Sequence, residues 1–400
     1  LSKTEISGPE VLTASGVVRG RLEDDLFVFR GIPYAAPPTG AGRFQAPSRP
    51  IPWDGVVDAY SFGPPVPQDA NMGGRSGGDH FAGEGDDWLT VNVWTPGTAP
   101  TSVRPVMVWI HGGAYKHGTS GSPGYEAQHI ARDGDVVVVS LNYRLGIEGF
   151  AAIEGAPPNR GLLDQVAALE WVQENIAAFG GDPGTVTVCG DSAGAGSIAA
   201  LMVMPRAKGL FHRAIGQSLP STYLTPELAR DVAVAIATEA GLRPTAADLA
   251  TVDPRELPAY GQAVQAKMPE FEARWGNFAH TLTLFAPVVD GDVLPTTPWR
   301  GLAEGAGRDV ELIIGHNRDE WRTFLLFGGL VGTITEEQAT DALRHFGPDE
   351  GGDKAYRDAS RTCLRRTSSN ACRATGYSGW PPCTLPKRKR PTAVPPTCTS

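Results

Sequence analysis

Thr185-Val186-Thr187-Val188-Cys189-Gly190-Asp191-Ser192-Ala193-Gly194 decides how this chain folds. Residues 185–189 alternate β-branched side chains, as a strand does, and residues 195–203 continue as an apolar helix. A strand that turns sharply into a helix lifts the residue at the bend, Ser192, above the sheet. The flanking glycines remove side chains that would collide there. The helix N-terminus lies beside that serine, where it stabilises negative charge. A G-x-S-x-G alone is a weak signal; its place between a strand and a helix gives it weight.

Upstream, residues 105–110 and 135–141 are nearly continuous apolar runs, the pattern of strands buried on both faces of a mainly parallel sheet. Short β-rich segments at 16–21 and 26–30, joined across Glu23-Asp24-Asp25, open the chain, and residues 89–94 add another. A Pro/Gly-rich stretch, 31–78, reads as an ordered surface loop. Between 162 and 179 the apolar residues Leu163, Val166, Leu169, Val172, Ile176 and Phe179 fall at helical spacing, and Gly180-Gly181-Asp182-Pro183 ends that helix. Residues 213–218 and 311–315 are further strands, and 225–280 read mostly helical, as a cap region. Strands alternating with helices predict an α/β fold with helices on both faces of the sheet.

His111-Gly112-Gly113-Ala114-Tyr115 follows the strand at 105–110 directly. Small residues there let backbone N–H groups approach the oxygen of a tetrahedral intermediate; losing one such donor costs about 3–4 kcal/mol. A glycine turn that merely closes a strand is the plainer alternative for Gly112-Gly113. His111 reads as structural, because it precedes the loop instead of facing the serine.

The stretch Phe179 to Gly194 resembles the active-serine signature of type B carboxylesterases, a family that includes bacterial p-nitrobenzyl esterases and the cholinesterases. Other stretches agree in the same order: Arg30-Gly31-Ile32-Pro33-Tyr34-Ala35, Asp87-Trp88-Leu89-Thr90-Val91-Asn92-Val93-Trp94, Asn142-Tyr143-Arg144-Leu145-Gly146, Asn159-Arg160-Gly161-Leu162-Leu163-Asp164-Gln165 and Ala286-Pro287-Val288-Val289-Asp290-Gly291. The resemblance covers residues 10–350. It implies an α/β-hydrolase fold and hydrolysis of a small-molecule carboxylic ester through an acyl-enzyme. Ser192 is then the nucleophile, Glu320 in Gly315-His316-Asn317-Arg318-Asp319-Glu320 the triad acid, and Gly113, Ala114 and Ala193 the oxyanion donors. A thioesterase or amidase would use the same site, and a non-catalytic binding protein of the same fold is the rival from another class. Ser218 resembles a family serine near the acid and reads equally as a strand-end serine. No metal or organic cofactor is implied. Two positions depart from the family pattern: Trp88 stands where many relatives have cysteine, and Asp191 where Glu is more frequent. Phe271, Trp275, Phe278, Phe285, Phe324 and Phe327 are candidates to line an apolar pocket.

A net charge of -9 argues against nucleic-acid or anionic-membrane partners. No apolar run reaches the roughly 18–20 residues that a bilayer requires, and the first residues lack the basic-then-apolar pattern of a secretory signal. Cys189 stands alone in the first 362 residues, which suits a reducing compartment, so a cytoplasmic protein is expected. The oligomeric state is not set by these patterns.

The triad order in this fold is Ser, acid, His. After Glu320 the sequence has His345 alone, on a helical stretch too near the acid; it reads as a solvated helix histidine. His316 precedes the acid. From residue 360 to 400 the text turns rich in Arg, Pro, Cys and Thr and loses periodicity, while Cys363, Cys372, Cys383 and Cys398 fit no usual zinc spacing. Back-translation from Thr375 onward, with each codon begun one nucleotide earlier, allows permissible codons that give a helical, family-like text. The expectation is therefore a hydrolase domain over 1–359 whose C-terminal part is missing, an out-of-frame or disordered tail, and a catalytic histidine beyond residue 400.

Overall fold

A computed structural model describes residues 8–69, 85–99, 101 and 103–347 of the chain. The expected boundary at 359/360 and the tail lie outside these residues. The described residues form two compact units. The first is drawn from Leu1–Gly216, Tyr223–Lys267 and Thr283–Ile313, and the second from Gln217–Thr222, Met268–Leu282 and Ile314–Ser400.

The strands among the described residues are β1 (Glu10–Thr13), β2 (Gly16–Arg19), β3 (Arg21–Glu23), β4 (Leu26–Pro33), β5 (Val56–Asp58), β6 (Thr90–Thr95), β7 (Arg104–Ile110), β8 (Val137–Leu141), β9 (Gly181–Asp191), β10 (Arg213–Gln217) and β11 (Glu311–Gly315). Eight of them form one sheet in the order β11-β10-β9-β7-β8-β6-β4-β3; β1, β2 and β5 form a small second sheet. The apolar runs lie at the centre, where β7 pairs parallel with both β8 and β9. Val106, Val108, Ile110, Val137, Val138, Val139 and Leu141 are each at most 2% exposed, and burying such a side chain contributes about 1.5–3 kcal/mol. Toward the β3 edge the sheet becomes antiparallel, β8–β6, β6–β4 and β4–β3, so the sheet is mixed. The β3–β4 hairpin turns on Asp24 and Asp25, both at positive φ, at the acidic junction expected from the sequence.

Of the 31–78 stretch, residues 31–69 are described and are less superficial than their composition suggests. They contribute β5, which pairs parallel with β2, and they bury Phe44 and Val66. Helix α1 (Gln128–Gly134) packs on β4, β6 and β8. Helix α2 (Arg160–Asn175) buries Leu162, Leu163, Val166, Leu169 and Val172 and tightens into a 3₁₀ turn over Ile176–Phe179. Gly180, at φ 80°, closes that turn as expected. Helix α3 (Ala193–Leu201) packs on β7 and β9 with every residue buried. The 225–280 region is helical, with α4 (Pro226–Glu239) and α5 (Leu257–Ala266) in the first unit. In the second unit α6 (Glu336–Phe346) opens with a reciprocal cap between Thr335 and Gln338. No helix among the described residues is long and apolar enough to cross a membrane.

The motif stretches form one buried polar framework. Arg144 and Asp164, both fully buried, make a forked ion pair of 2.7–2.8 Å, and Asp164 also accepts from the Arg144 N–H. Arg160 donates to the carbonyls of Ile147, Glu148, Ala151 and Pro157. Asn159 bonds Val288 in both directions and donates to Asp290. Asn92 accepts from Gly31 N–H and donates to Ser120 and Ser140. Each stretch thus satisfies backbone groups of another, as buried polar groups require.

Candidate active site

β9 ends at Asp191 and α3 begins at Ala193, so Ser192 carries the whole change of direction. Its φ of 55° and ψ of −121° are strained for a residue with a side chain. Packing holds the bend. A Cβ at Gly190 would meet Gly194 C at 2.7 Å, and one at Gly194 would meet the Ile110 carbonyl oxygen at 2.1 Å. Because Ile110 pairs with Gly190, the chain leaving β7 emerges beside this elbow. The Cβ position of Gly112 lies 2.7 Å from Asp191 O and 3.2 Å from Ser192 Cβ. Only a glycine allows so close an approach.

Beyond Gly112, three residues in succession take positive φ: Gly113 at 112°, Ala114 at 55° and Tyr115 at 59°. The loop folds back, with Gly113 O accepting from the N–H groups of Lys116 and His117 at 3.0 and 2.9 Å. Thr283 Oγ1 donates to Ala114 O, and Gly146 N–H to Tyr115 O. Among the described residues nothing accepts a hydrogen bond from the N–H of Gly113, Ala114 or Ala193. The elbow and the loop predicted from sequence therefore stand side by side with those amide donors uncommitted.

His111 is fully buried. Its ring stacks on Tyr143 at 4.5 Å, its Nδ1 bonds Gly112 O, and burial pushes its pKa down to about 4. Such a ring shapes the loop, which agrees with its reading as structural.

Glu320 belongs to the second unit. Its Oε1 accepts from Ser218 Oγ at 2.6 Å and from Asn317 N–H at 2.7 Å. Ser218, at φ 54°, is fixed by its own N–H to Gly315 O. Of the two readings open for Ser218, the structure supports the serine beside the acid. His345 departs from expectation. It lies on a helix, but its side chain is only 9% exposed, held beside Asp341 and Glu272. Among the described residues no histidine is hydrogen-bonded to Ser192.

The first unit also holds a cavity of about 340 Å³. Leu145, Ile147, Leu257, Pro258 and Phe285 give it apolar walls, and Lys116 and His117, the continuation of the Gly113 loop, supply polar ones. Burial draws the Lys116 ammonium down to about 8, partly opposed by Asp69, and the His117 imidazole down to about 4. Of the six aromatics singled out in the sequence, Phe285 lines this cavity. Trp275 and Phe278 are buried, Phe271 stacks on Trp275, and Phe324 and Phe327 are exposed. The sequence reading missed Lys116 and His117, although their position directly after the glycine loop was visible.

The family model described as the carboxylesterase family matches residues 7–370. The para-nitrobenzyl esterase of Bacillus subtilis is 43% identical over 319 residues, covering 78% of this chain and 63% of that one. Carboxylesterase 3 of Homo sapiens is 39% identical over 362 residues, covering 85% and 60%. This chain thus spans less than two thirds of the length of either. Among solved structures, a Geobacillus stearothermophilus carboxylesterase superposes with a TM-score of 0.78 at 35% identity, covering 92% of this chain and 74% of that one. A para-nitrobenzyl esterase structure gives the same TM-score at 36% identity. The fold is the α/β-hydrolase fold, and the chain belongs to the carboxylesterase family.

Proposed function

We propose that this chain carries the acylation site of a serine carboxylesterase. Ser192 Oγ attacks the ester carbonyl, the N–H groups of Gly113, Ala114 and Ala193 receive the developing oxyanion, and the alcohol leaves to give an acyl-enzyme that water hydrolyses. Glu320, steadied by Ser218 and Asn317, orients a histidine that takes the seryl proton and stabilises its protonated form. The cavity beside Lys116 takes an apolar part of the ester. The observation that carries this reading is the strained Ser192 elbow pressed against Gly112, with uncommitted amide donors next to it.

The histidine base is expected outside these 400 residues. His345, alone after Glu320 in the sequence, is engaged with Glu272 and Asp341. A shifted reading frame near residue 360 accounts for this, and sequencing the gene across that point tests it; an intact frame ends that part of the proposal. A cytoplasmic site of action is supported by the lone Cys189 in the body of the chain and by Trp88 at the family's cysteine position.

Hydrolysis of p-nitrophenyl acetate tests the site. In the 400-residue chain, without the base, a residual rate on the order of 10³–10⁴ above water is expected from the amide donors and binding, and Ser192→Ala leaves it nearly unchanged. In a chain restored in frame past residue 360, Ser192→Ala lowers the rate by several orders of magnitude. A rate indifferent to Ser192→Ala in that restored chain overturns the assignment.

A further inference from the structure

We propose that Glu272, His280 and His345 form a binding site for a zinc-type divalent cation, in the second unit and independent of the esterase chemistry. Glu272 and His280 are eight positions apart, and His345 follows 65 positions later. Glu272 begins a single helical turn, Glu272–Trp275, and His280 ends the 3₁₀ segment Gly276–His280. His345 lies in the last turn of α6. The fold gathers one ligating atom from each within 4.8 Å of the others. His280 Nε2 is 3.3 Å from Glu272 Oε2, and His345 Nε2 is 3.6 Å from Glu272 Oε1. A tetrahedral ion with bonds of about 2.0–2.1 Å holds its donors roughly 3.4 Å apart, so small side-chain rotations bring all three onto one centre.

Two further observations point to an ion. His345 Nδ1 bonds the Asp341 carbonyl oxygen at 2.9 Å, with the Asp341 carboxylate 3.6 Å away. A ring whose Nδ1–H is given to a carbonyl presents its Nε2 lone pair outward, toward Glu272. That is the supporting arrangement typical of metal-bound imidazole. His280 Nε2 is buried with no hydrogen-bond partner: Glu272 is near it, but not in line for a bond. An unsatisfied buried nitrogen is costly, and coordination satisfies it.

The two imidazole rings lie with centroids 3.7 Å apart, tilted 36° to one another, so both rings and Glu272 share one small space. Two imidazole nitrogens and one carboxylate oxygen suit Zn²⁺, with water in the remaining position. The ion would clip the 272–280 segment to α6.

The test is a titration of the full 400-residue chain, stripped with chelator and with reactive thiols alkylated so that cysteines do not compete. Co²⁺ is the optical probe and Zn²⁺ the competitor. A stoichiometric site with a tetrahedral Co²⁺ spectrum is expected, weakened at least about tenfold by His280→Gln, His345→Gln or Glu272→Gln. His129→Gln, on the exposed face of α1, should leave it unchanged. Zn²⁺ should raise the thermal midpoint of the parent but not of the three variants. Glu272 is more than half exposed, so Glu272→Gln carries the test should a histidine variant fail to fold. No stoichiometric binding, meaning a plain His–Glu ion-pair cluster, overturns the proposal. So does binding indifferent to the three variants, or lost equally in His129→Gln, which marks adventitious surface binding.

Discussion

Ser218 Oγ donates a 2.6 Å hydrogen bond to Glu320 Oε1, the oxygen that also takes the Asn317 N–H. Among the described residues Oε2 accepts nothing, so one carboxylate oxygen is tied down and the other is left for the orienting role proposed above. A hydrogen bond to a charged group contributes about 1.5–3 kcal/mol. In a chain restored in frame past residue 360, Ser218→Ala should therefore lower kcat for ester hydrolysis about tenfold with KM unchanged, and Ser218→Thr should restore most of it. Steady-state kinetics decide; an unaltered kcat in Ser218→Ala removes this serine from the machinery.

Gly194→Ala should destabilise the fold by more than about 3 kcal/mol, because its Cβ would sit 2.1 Å from a backbone oxygen of the central strand. Gly209 is the control. It has positive φ but open space around it, so Gly209→Ala should cost only about 1 kcal/mol. Urea unfolding of both variants measures the difference, and equal losses would contradict the close approach between the elbow and β7.

Asp164→Asn leaves the Arg144 guanidinium buried without its counter-charge and should cost about 3–5 kcal/mol. Replacing both partners with apolar residues, Arg144→Met with Asp164→Leu, should recover part of that loss. Calorimetric midpoints of the single and double variants provide the comparison. A double variant no more stable than Asp164→Asn would contradict this, the lost guanidinium bond to the Gln45 carbonyl then outweighing the relief.

Asp87 gives a pH-dependent expectation. Burial raises its carboxyl from the ordinary 3.8 to about 6, and its Oδ1 is buried without a hydrogen-bond partner. The folded state thus favours the protonated form. The stability this contributes is fully present below pH 3.8 and is lost as pH rises through 6. Asp87→Asn cannot titrate, so its stability relative to the parent should grow between pH 4 and 6 and stay level above 7. Parallel denaturation curves across pH 4–8 test this; a constant difference would refute it.

The Ser192 elbow was readable because two glycines, a β-branched run and an apolar helix are local patterns. The ends of the elements were less so. β9 begins at Gly181, not 185, because Arg104 pairs with Gly181 across the sheet, a partner invisible to a reading that took Gly-Gly-Asp-Pro as a stop. Asn142, Arg144, Asn159, Arg160 and Asp164 could be recognised as motif letters. Their cause, mutual satisfaction in the interior, appears only when the chain closes. Phe324 and Phe327 looked like pocket walls on composition but are exposed. His345 looked solvated because helical periodicity gives no hint that His280, 65 positions earlier, packs on its ring.

The turn through Gly113, Ala114 and Tyr115 also sets a limit on engineering. Replacing Ala114 or Tyr115 with glycine would relieve an unfavourable torsion, yet it would loosen the segment that carries two of the proposed oxyanion donors. Thermal hardiness and the proposed catalytic role therefore pull in opposite directions at these two positions, and a selection for heat resistance alone would blunt the proposed site here first.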